Sequence, residues 1–296
     1  MARKMIFIVN PRAGGGKAER AIPLIKKTME EVDIEYDIIK TKGPKNAIDI
    51  SEKSIKEGYM TIVAVGGDGT INEVATGIYR CGKGILGIIP RGTGNDLART
   101  LGIPSDINRA MEIIIKGEKK KVDIGFVNSN LFLNIASIGF DAEVVKNAQN
   151  IKKRIKLGIS YIISIFTSLF MFKAKEINLK IDGISINKKI ILVAIGNGKY
   201  YGGGLKILPM ANVEDGFFHI CIVNTMPKIK LLFLFPSIFN GKHIRFKKYV
   251  EILKLKDVNI TIRNQGYLNL DGEIYDTKKE MYFAIEKKGL SIYADN

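Results

Sequence analysis

TIVAVGGDGTINE, residues 61–73, decides the fold. Residues 61–65 are β-branched or small and apolar, the composition of a buried strand. They stop at Gly66-Gly67-Asp68-Gly69-Thr70, and apolar residues resume at helical spacing from Ile71 to Ile78. A strand, a glycine turn and a helix start therefore follow one another without a linker. Glycines let the backbone approach a phosphate closely, and the N–H groups opening the helix point toward negative charge. Asp68 is out of place beside a phosphate unless a cation lies between them, so the stretch points to Mg²⁺ linking Asp68 to a nucleotide. Taken alone, a strand-to-helix turn with a solvated Asp explains the same residues equally well.

The same arrangement occurs upstream. Residues 5–9 read as a buried strand that runs into Asn10-Pro11-Arg12-Ala13-Gly14-Gly15-Gly16-Lys17, followed by a helical pattern at Ala21, Ile22, Leu24, Ile25, Met29 and Val32. It is not a P-loop, because no Gly-Lys is followed by Ser or Thr. Neither Gly67-Asp68-Gly69 nor Gly92-Thr93-Gly94 has the third glycine of a dinucleotide fingerprint. Further strands at 34–40 and 85–89 and helices at 47–57 and 71–79 complete a βαβαβαβ alternation. That alternation predicts a mostly parallel sheet with ligand loops at the carboxyl ends of its strands. The strand at 85–89 delivers Pro90-Arg91-Gly92-Thr93-Gly94-Asn95-Asp96-Leu97-Ala98-Arg99, a third loop of small and polar residues at that edge.

After a helix at 106–116 the pattern changes. Strands at 121–127 and 131–138 are followed from residue 177 by short strands at 177–181, 189–196, 217–223, 258–263, 267–270 and 281–285, the signature of an antiparallel β-domain. The expected fold is therefore α/β followed by β. Residues 1–121 are expected to form the α/β domain and residues 122–288 the antiparallel β-domain, with the tail at 289–296 packing back on the first.

The chain has 296 residues, 46% of them hydrophobic, enough for two domains. Lys and Arg outnumber Asp and Glu 46 to 30, a net charge of +16 that points to an anionic partner, though part of the excess also follows from AT-rich coding. Two cysteines and two histidines exclude a disulfide framework and a zinc cluster, and fit a reducing cytoplasm. The apolar run at residues 5–9 is too short for a secretory signal. The apolar tract at 155–172 is interrupted by Lys156 and Gly158 and reads as a packed or membrane-surface helix rather than a spanning one. Two segments, 149–175 and 227–249, mix apolar residues with Lys and Arg. Each suits reversible adsorption to an anionic bilayer, or equally a core helix with a solvated face.

Together, Asn10-Pro11 with Gly14-Gly15-Gly16, Gly66-Gly67-Asp68-Gly69-Thr70 with Asn72-Glu73, and Pro90 with Gly92-Thr93-Gly94-Asn95-Asp96 and Ala98-Arg99 resemble the diacylglycerol kinase catalytic domain in its compact soluble bacterial form. The resemblance extends over essentially the whole chain. Gly-Gly-Asp-Gly alone is shared with NAD kinases and phosphofructokinases, whereas its order with the flanking loops is specific. The resemblance implies an NAD-kinase-like, nucleotide-binding α/β domain over residues 1–121 followed by a β-sandwich over residues 122–288 that takes the lipid substrate.

It also implies Mg-dependent transfer of the ATP γ-phosphate to the hydroxyl of diacylglycerol, giving phosphatidic acid, by a cytoplasmic protein associated peripherally with the membrane. Nucleotide contacts would fall on Asn10, Pro11, Arg12, Ala13, Gly14, Thr41, Gly66, Gly67, Asp68, Gly69, Thr70, Ile71, Asn72 and Thr93, with Asp68 positioning the catalytic Mg²⁺. Glu273, in Leu270-Asp271-Gly272-Glu273, matches the glutamate that takes the proton from the acceptor. A carboxylate suffices there, because the hydroxyl becomes acidic only as it bonds to phosphorus. Asp215, with main-chain oxygens of Asn212 and Phe217, resembles a structural Mg²⁺ loop; an ordinary turn explains Asp215-Gly216 alone, and the surrounding match favours the metal. Asp96 and Asp123 would support this acidic network. Lys17 and Arg20 would neutralise phosphate, although a solvated helix start explains them nearly as well.

The same residues would serve a kinase with another lipid acceptor: a different glycerolipid, a sphingoid base or an isoprenoid alcohol. A nucleotide- or lipid-binding regulator is the non-catalytic alternative. Nucleic-acid binding is disfavoured, because the aromatics lie mostly in apolar strands and no recognised module is visible. Oligomeric state is open at this level, an exposed β-domain edge and the resemblance both being compatible with a homodimer.

Overall fold

The computed structural model describes residues 4–144, 172–263 and 265–295. The first apolar-basic segment, 149–175, lies almost entirely outside these residues. The chain divides into two compact units, Met1–Ile124 with Lys287–Asn296, and Gly125–Glu286.

The first unit is a parallel α/β layer. Its strands β1 (Lys4–Val9), β2 (Glu35–Lys40), β3 (Thr61–Gly66) and β4 (Ile85–Pro90) lie in the order β2-β1-β3-β4, every pair parallel. The end of the last strand, β15 (Glu280–Tyr293), adds to β4 through Ile292 opposite Leu86. Every residue of β3 is buried, as a strand covered on both faces requires, whereas edge strand β2 has mostly exposed or half-buried residues and carries charge.

Between these strands run α1 (Ile22–Glu30), α2 (Asn46–Lys56), α3 (Asp68–Cys81), α4 (Asp96–Thr100) and α5 (Ile107–Lys116). Helix α2 packs on α3, and α1 packs on α5. Asp106 caps α5 by accepting the Arg109 N–H at 3.0 Å, and left-handed Gly117 ends the helix. The chain leaves β1 toward β2 on one side and later returns to β3 on the other. The strand order therefore reverses between β1 and β3, the position at which open α/β sheets bind ligands beyond their carboxyl ends.

The second unit is antiparallel. Its strands are the end of β5 (Lys119–Val127), β6 (Asn130–Phe132), β7 (Ile135–Gly139), β8 (Lys175–Ile181), β9 (Ile184–Gly196), β10 (Phe218–Asn224), β11 (Val250–Leu255), β12 (Asp257–Ile262), β13 (Tyr267–Leu270), β14 (Glu273–Asp276) and the start of β15. Long β9 pairs with β8, β7 and β10. Its side chains divide between two cores. Ile190, Val193 and Ile195 join Phe132, Phe218 and Ile260 inside the sandwich, while Ile191, Leu192 and Ala194 face a second cluster closed by α6 (Lys228–Ile238). Each large apolar side chain buried this way contributes roughly 1.5–3 kcal/mol.

The expected strand at 131–138 is split by a turn at Leu133-Asn134, because Asp271 takes the backbone N–H groups there. The observed architecture is a parallel α/β sheet followed by an antiparallel β-sandwich, the class read from the sequence.

Candidate active site

The three glycine-rich loops meet at the carboxyl edge of the parallel sheet. The Asn10 N–H donates to the Val65 carbonyl at 3.0 Å, and Asn10 Nδ2 donates to Thr70 Oγ1 at 3.1 Å, joining the first loop to the second. The Arg91 N–H donates to the Gly66 carbonyl at 2.7 Å, joining the third loop to the second. A side chain on Gly14 would strike the Arg91 carbonyl, and one on Gly92 would strike Gly67 Cα, so only glycine permits these crossings. Thr41 enters the same rim through its N–H, which donates to the Val9 carbonyl at 2.8 Å. Pro11, Arg12 and Ala13 continue the turn after Asn10, whose Oδ1 accepts the Arg12 N–H at 3.1 Å. Thr93 is exposed at the tip of the third loop.

Helix α3 begins at Asp68, with extended Gly67 before it and no side-chain cap, so the N–H groups of Asp68, Gly69 and Thr70 point toward the rim, while the Ile71 N–H closes the first turn by donating to the Gly67 carbonyl at 3.0 Å. Asn72 lies in the following turn, its carbonyl accepting the Thr76 hydroxyl at 2.8 Å. Asp68 Oδ1 accepts the Leu97 N–H at 3.2 Å. Burial pushes this carboxyl above its ordinary value, and the N–H groups of residues 95–97 only partly offset that.

Asp96 is buried and pairs with Arg99 Nη1 at 2.9 Å. A Cβ built on Gly94 would lie 2.9 Å from Asp68 Oδ2 and 3.1 Å from Asp96 Oδ2. Two carboxylate oxygens thus flank Gly94 so closely that only glycine fits beside them, and oxygens of this kind are the donors a hard divalent cation takes.

Glu73 has a structural task. Its two oxygens accept the Lys45 N–H at 2.8 Å and the Ala47 N–H at 3.1 Å, and so cap α2. Asn95, in the left-handed conformation, closes the third loop with reciprocal bonds to Gly92 at 2.8 and 3.1 Å. Lys17 and Arg20 are exposed beyond the first loop, and Arg20 Nη2 donates to the Gly15 carbonyl at 3.3 Å. Asp123 is fully buried, and its Oδ1 accepts the Lys288 N–H at 2.7 Å, holding the returning tail.

In the second unit, Glu273 opens β14 just after a tight turn whose central residues, Asp271 and Gly272, are both left-handed, with φ of 49° and 94°. The Asp271 carboxylate fixes that turn by accepting N–H groups from Leu133, Asn134 and Ile135 at 2.7, 3.0 and 2.9 Å. Glu273 is exposed and accepts the Tyr275 hydroxyl at 2.9 Å. The sequence points to the glutamate but not to this anchor. An Asp-Gly pair directly before it was the available signal.

Asp215 Oδ1 accepts the Phe217 N–H at 3.0 Å, and its Oδ2 lies 2.9 Å from Lys254 Nζ and 3.2 Å from His219 Nε2. Partial burial pushes the carboxyl up, but these hydrogen bonds outweigh it and hold it below the usual range. Asn212 Oδ1 accepts the Glu214 N–H at 3.1 Å in the same loop. The Lys254 ammonium thus lies against the carboxylate that the sequence reading assigns to a cation. Among the described residues no group of three or more His, Cys, Asp or Glu side chains gathers to hold a metal, and no helix is long and apolar enough to cross a membrane.

Residues 4–127 match the diacylglycerol kinase catalytic domain, and residues 134–282 match the YegS C-terminal NAD kinase beta sandwich-like domain. A diacylglycerol kinase from Staphylococcus carnosus (strain TM300) is 32% identical over 294 residues, 99% of this chain and 95% of that protein. One from Staphylococcus aureus (strain bovine RF122 / ET3-1) is 31% identical over 297 residues, 100% of this chain and 94% of that protein. A crystal structure from Bacillus anthracis str. Sterne, provisionally assigned as a diacylglycerol kinase, superposes with a TM-score of 0.83 at 26% identity, covering 99% of this chain and 95% of that one. With both halves matched and near-complete overlap with these relatives, the chain belongs to the diacylglycerol kinase family of lipid kinases.

Proposed function

We propose that this chain transfers the γ-phosphate of ATP to the free hydroxyl of diacylglycerol, yielding phosphatidic acid and ADP. The observation that carries the reading is the meeting of the Asn10, Gly67 and Gly92 loops at the strand-order reversal, with carboxylate oxygens of Asp68 and Asp96 flanking Gly94 in the third loop. Backbone N–H groups of the α3 start and the glycine loops bind the phosphates, and Thr41 and Thr93 lie along the same rim. Asp68 and Asp96 would hold Mg²⁺, which when bound supplies charge neutralisation on the phosphates.

Glu273 accepts the proton of the acceptor hydroxyl as its oxygen bonds to the γ-phosphorus, and the bond from that phosphorus to the β–γ bridging oxygen breaks. Exposure suits this role, because the base has only to be reachable by the acceptor. Asp123 holds the returning tail, and Asp215 either keeps its Lys254 partner or exchanges it for a structural Mg²⁺ bound also by the Asn212 and Phe217 carbonyls.

Docking to an anionic bilayer falls to α6 and the turn after it. Phe233 is 80% exposed and Ile229 69% exposed, with Leu232, Phe239 and Phe246 also outward. Lys228, Lys230, Lys242, Arg245, Lys247 and Lys248 are all exposed around them. Each basic residue near such a surface contributes roughly 1 kcal/mol, enough in sum for reversible adsorption. The test of the whole reading is transfer of labelled γ-phosphate from ATP, in mixed micelles, to a panel of diacylglycerol, monoacylglycerol, a sphingoid base and an isoprenoid alcohol. Preferred labelling of diacylglycerol supports it. Preferred labelling of another alcohol reassigns the acceptor, and labelling of none leaves the regulator.

A further inference from the structure

Beneath α6 lies a cavity whose contents the established family chemistry does not specify. Its walls are apolar: Phe140 and Val144 after β7, Ile191 and Leu192 of β9, Leu231 and Leu234 of α6, with further apolar neighbours around them. It holds about 640 Å³ of space between its atoms, partly open to solvent. A slot with apolar walls and a polar group among them suits a hydrocarbon chain that carries one polar group.

One end of the slot is polar. Asp141 and Asn269 line it there, and Asp141 is the one charged side chain among the described lining residues. Asp141 Oδ2 accepts a short hydrogen bond from the Ser137 hydroxyl and a long one, 3.5 Å, from Asn269 Nδ2. Asp141 Oδ1 is buried and has no hydrogen-bond partner. Loss of hydration pushes the carboxyl up to about 6. A buried acceptor left unsatisfied costs free energy, so it is retained where a ligand completes it.

Asn269 also places this end within the molecule. Its Oδ1 accepts the Gly272 N–H at 2.9 Å, and Gly272 directly precedes Glu273. One asparagine therefore joins the polar end of the slot to the turn that carries the proposed base.

We propose that the slot receives an acyl chain of the lipid acceptor and that Asp141 Oδ1 accepts a hydrogen bond from the acceptor hydroxyl, making Asp141 the residue that distinguishes a lipid alcohol from an ester or ether of the same shape. This deepens the proposed lipid phosphorylation and rests on it for the identity of the ligand. Asp141 binds the hydroxyl in the ground state, and Glu273 takes the proton during transfer.

The experiment measures binding without nucleotide. The affinities of the full chain for 1,2-dioctanoylglycerol and for its 3-O-methyl ether are compared in detergent micelles, for the wild type, Asp141→Asn and Asp141→Leu. The wild type is expected to favour the alcohol by about tenfold or more, the usual size of a hydrogen bond to a charged acceptor, and Asp141→Leu to bind both alike. Equal affinity for alcohol and ether in the wild type overturns the proposal, a result that depends on no variant folding. An alcohol preference that persists unchanged in both variants also overturns it. Where the wild type shows the alcohol preference but no lipid is phosphorylated, the binding site stands and the kinase reading fails, so the two failures are distinguishable.

Discussion

Asp271 accepts the Leu133 N–H at 2.7 Å, and its second oxygen takes the N–H groups of the next two residues. This carboxylate is the fixed point of the β13–β14 hairpin, because it replaces the ladder that the turn between β6 and β7 interrupts. Removing it leaves three backbone donors short of a partner, each worth about 1–3 kcal/mol when buried. Asp271→Ala is therefore expected to lower urea-unfolding stability by about 3 kcal/mol or more and to abolish lipid phosphorylation. A loss under about 0.5 kcal/mol would contradict the anchor.

Asp68 is buried among backbone donors with its carboxyl pushed above the ordinary range. The folded protein then holds this proton more tightly than the unfolded chain, so metal-free stability falls as pH rises from the unfolded value through the raised folded one. At neutral pH without Mg²⁺, Asp68→Asn is expected to melt higher than the wild type, yet to lose Mg²⁺-dependent ATP binding by about 10²-fold or more. Melting and nucleotide titration with and without EDTA check this. An Asn variant that melts lower and binds MgATP normally refutes it.

The Lys254 ammonium lies against Asp215, with its side chain about half exposed. Lys254→Ala is expected to cost about 1 kcal/mol in EDTA, the scale of a partly screened pair. If Asp215 takes a structural Mg²⁺, millimolar Mg²⁺ restores the melting temperature of that variant but not of Asp215→Asn. Equal responses in both place the ion elsewhere.

Helix α6 buries Leu231, Leu234 and Ile238 and presents Ile229 and Phe233 outward. Phe233→Ser combined with Lys228→Glu and Lys230→Glu is expected to reduce sedimentation with anionic liposomes by about tenfold or more at low salt, while activity on dioctanoylglycerol in neutral micelles changes little. Adsorption indifferent to salt, to anionic lipid and to these substitutions would remove α6 from the docking role.

The parallel sheet was legible because buried strands between amphipathic helices leave unambiguous periodicity, as residues 61–65 and Ile71 to Ile78 show. The approach of the three loops was legible for the same reason, since alternation alone places them at one edge. Strands β11 and β14 were not found from sequence. In β11, Glu251 and Lys254 break the apolar run, and β14 is a four-residue, mostly exposed strand defined by pairing with β13.

The anchoring by Asp271, the capping by Glu73 and the unpartnered Asp141 oxygen depend on contacts between residues far apart in the chain. No local spacing encodes them. Lys254 beside Asp215 belongs to the same class: a turn read as an oxygen site meets an ammonium from a strand the sequence did not announce.

The central claim is that Glu273 removes the acceptor proton while the α/β unit holds the nucleotide. Its most direct test is the turnover of Glu273→Gln with ATP and diacylglycerol in mixed micelles, alongside the nucleotide affinity of the same preparation. The account predicts a fall in turnover of roughly 10²- to 10⁴-fold with affinity for MgATP unchanged. Turnover equal to the wild type would contradict it.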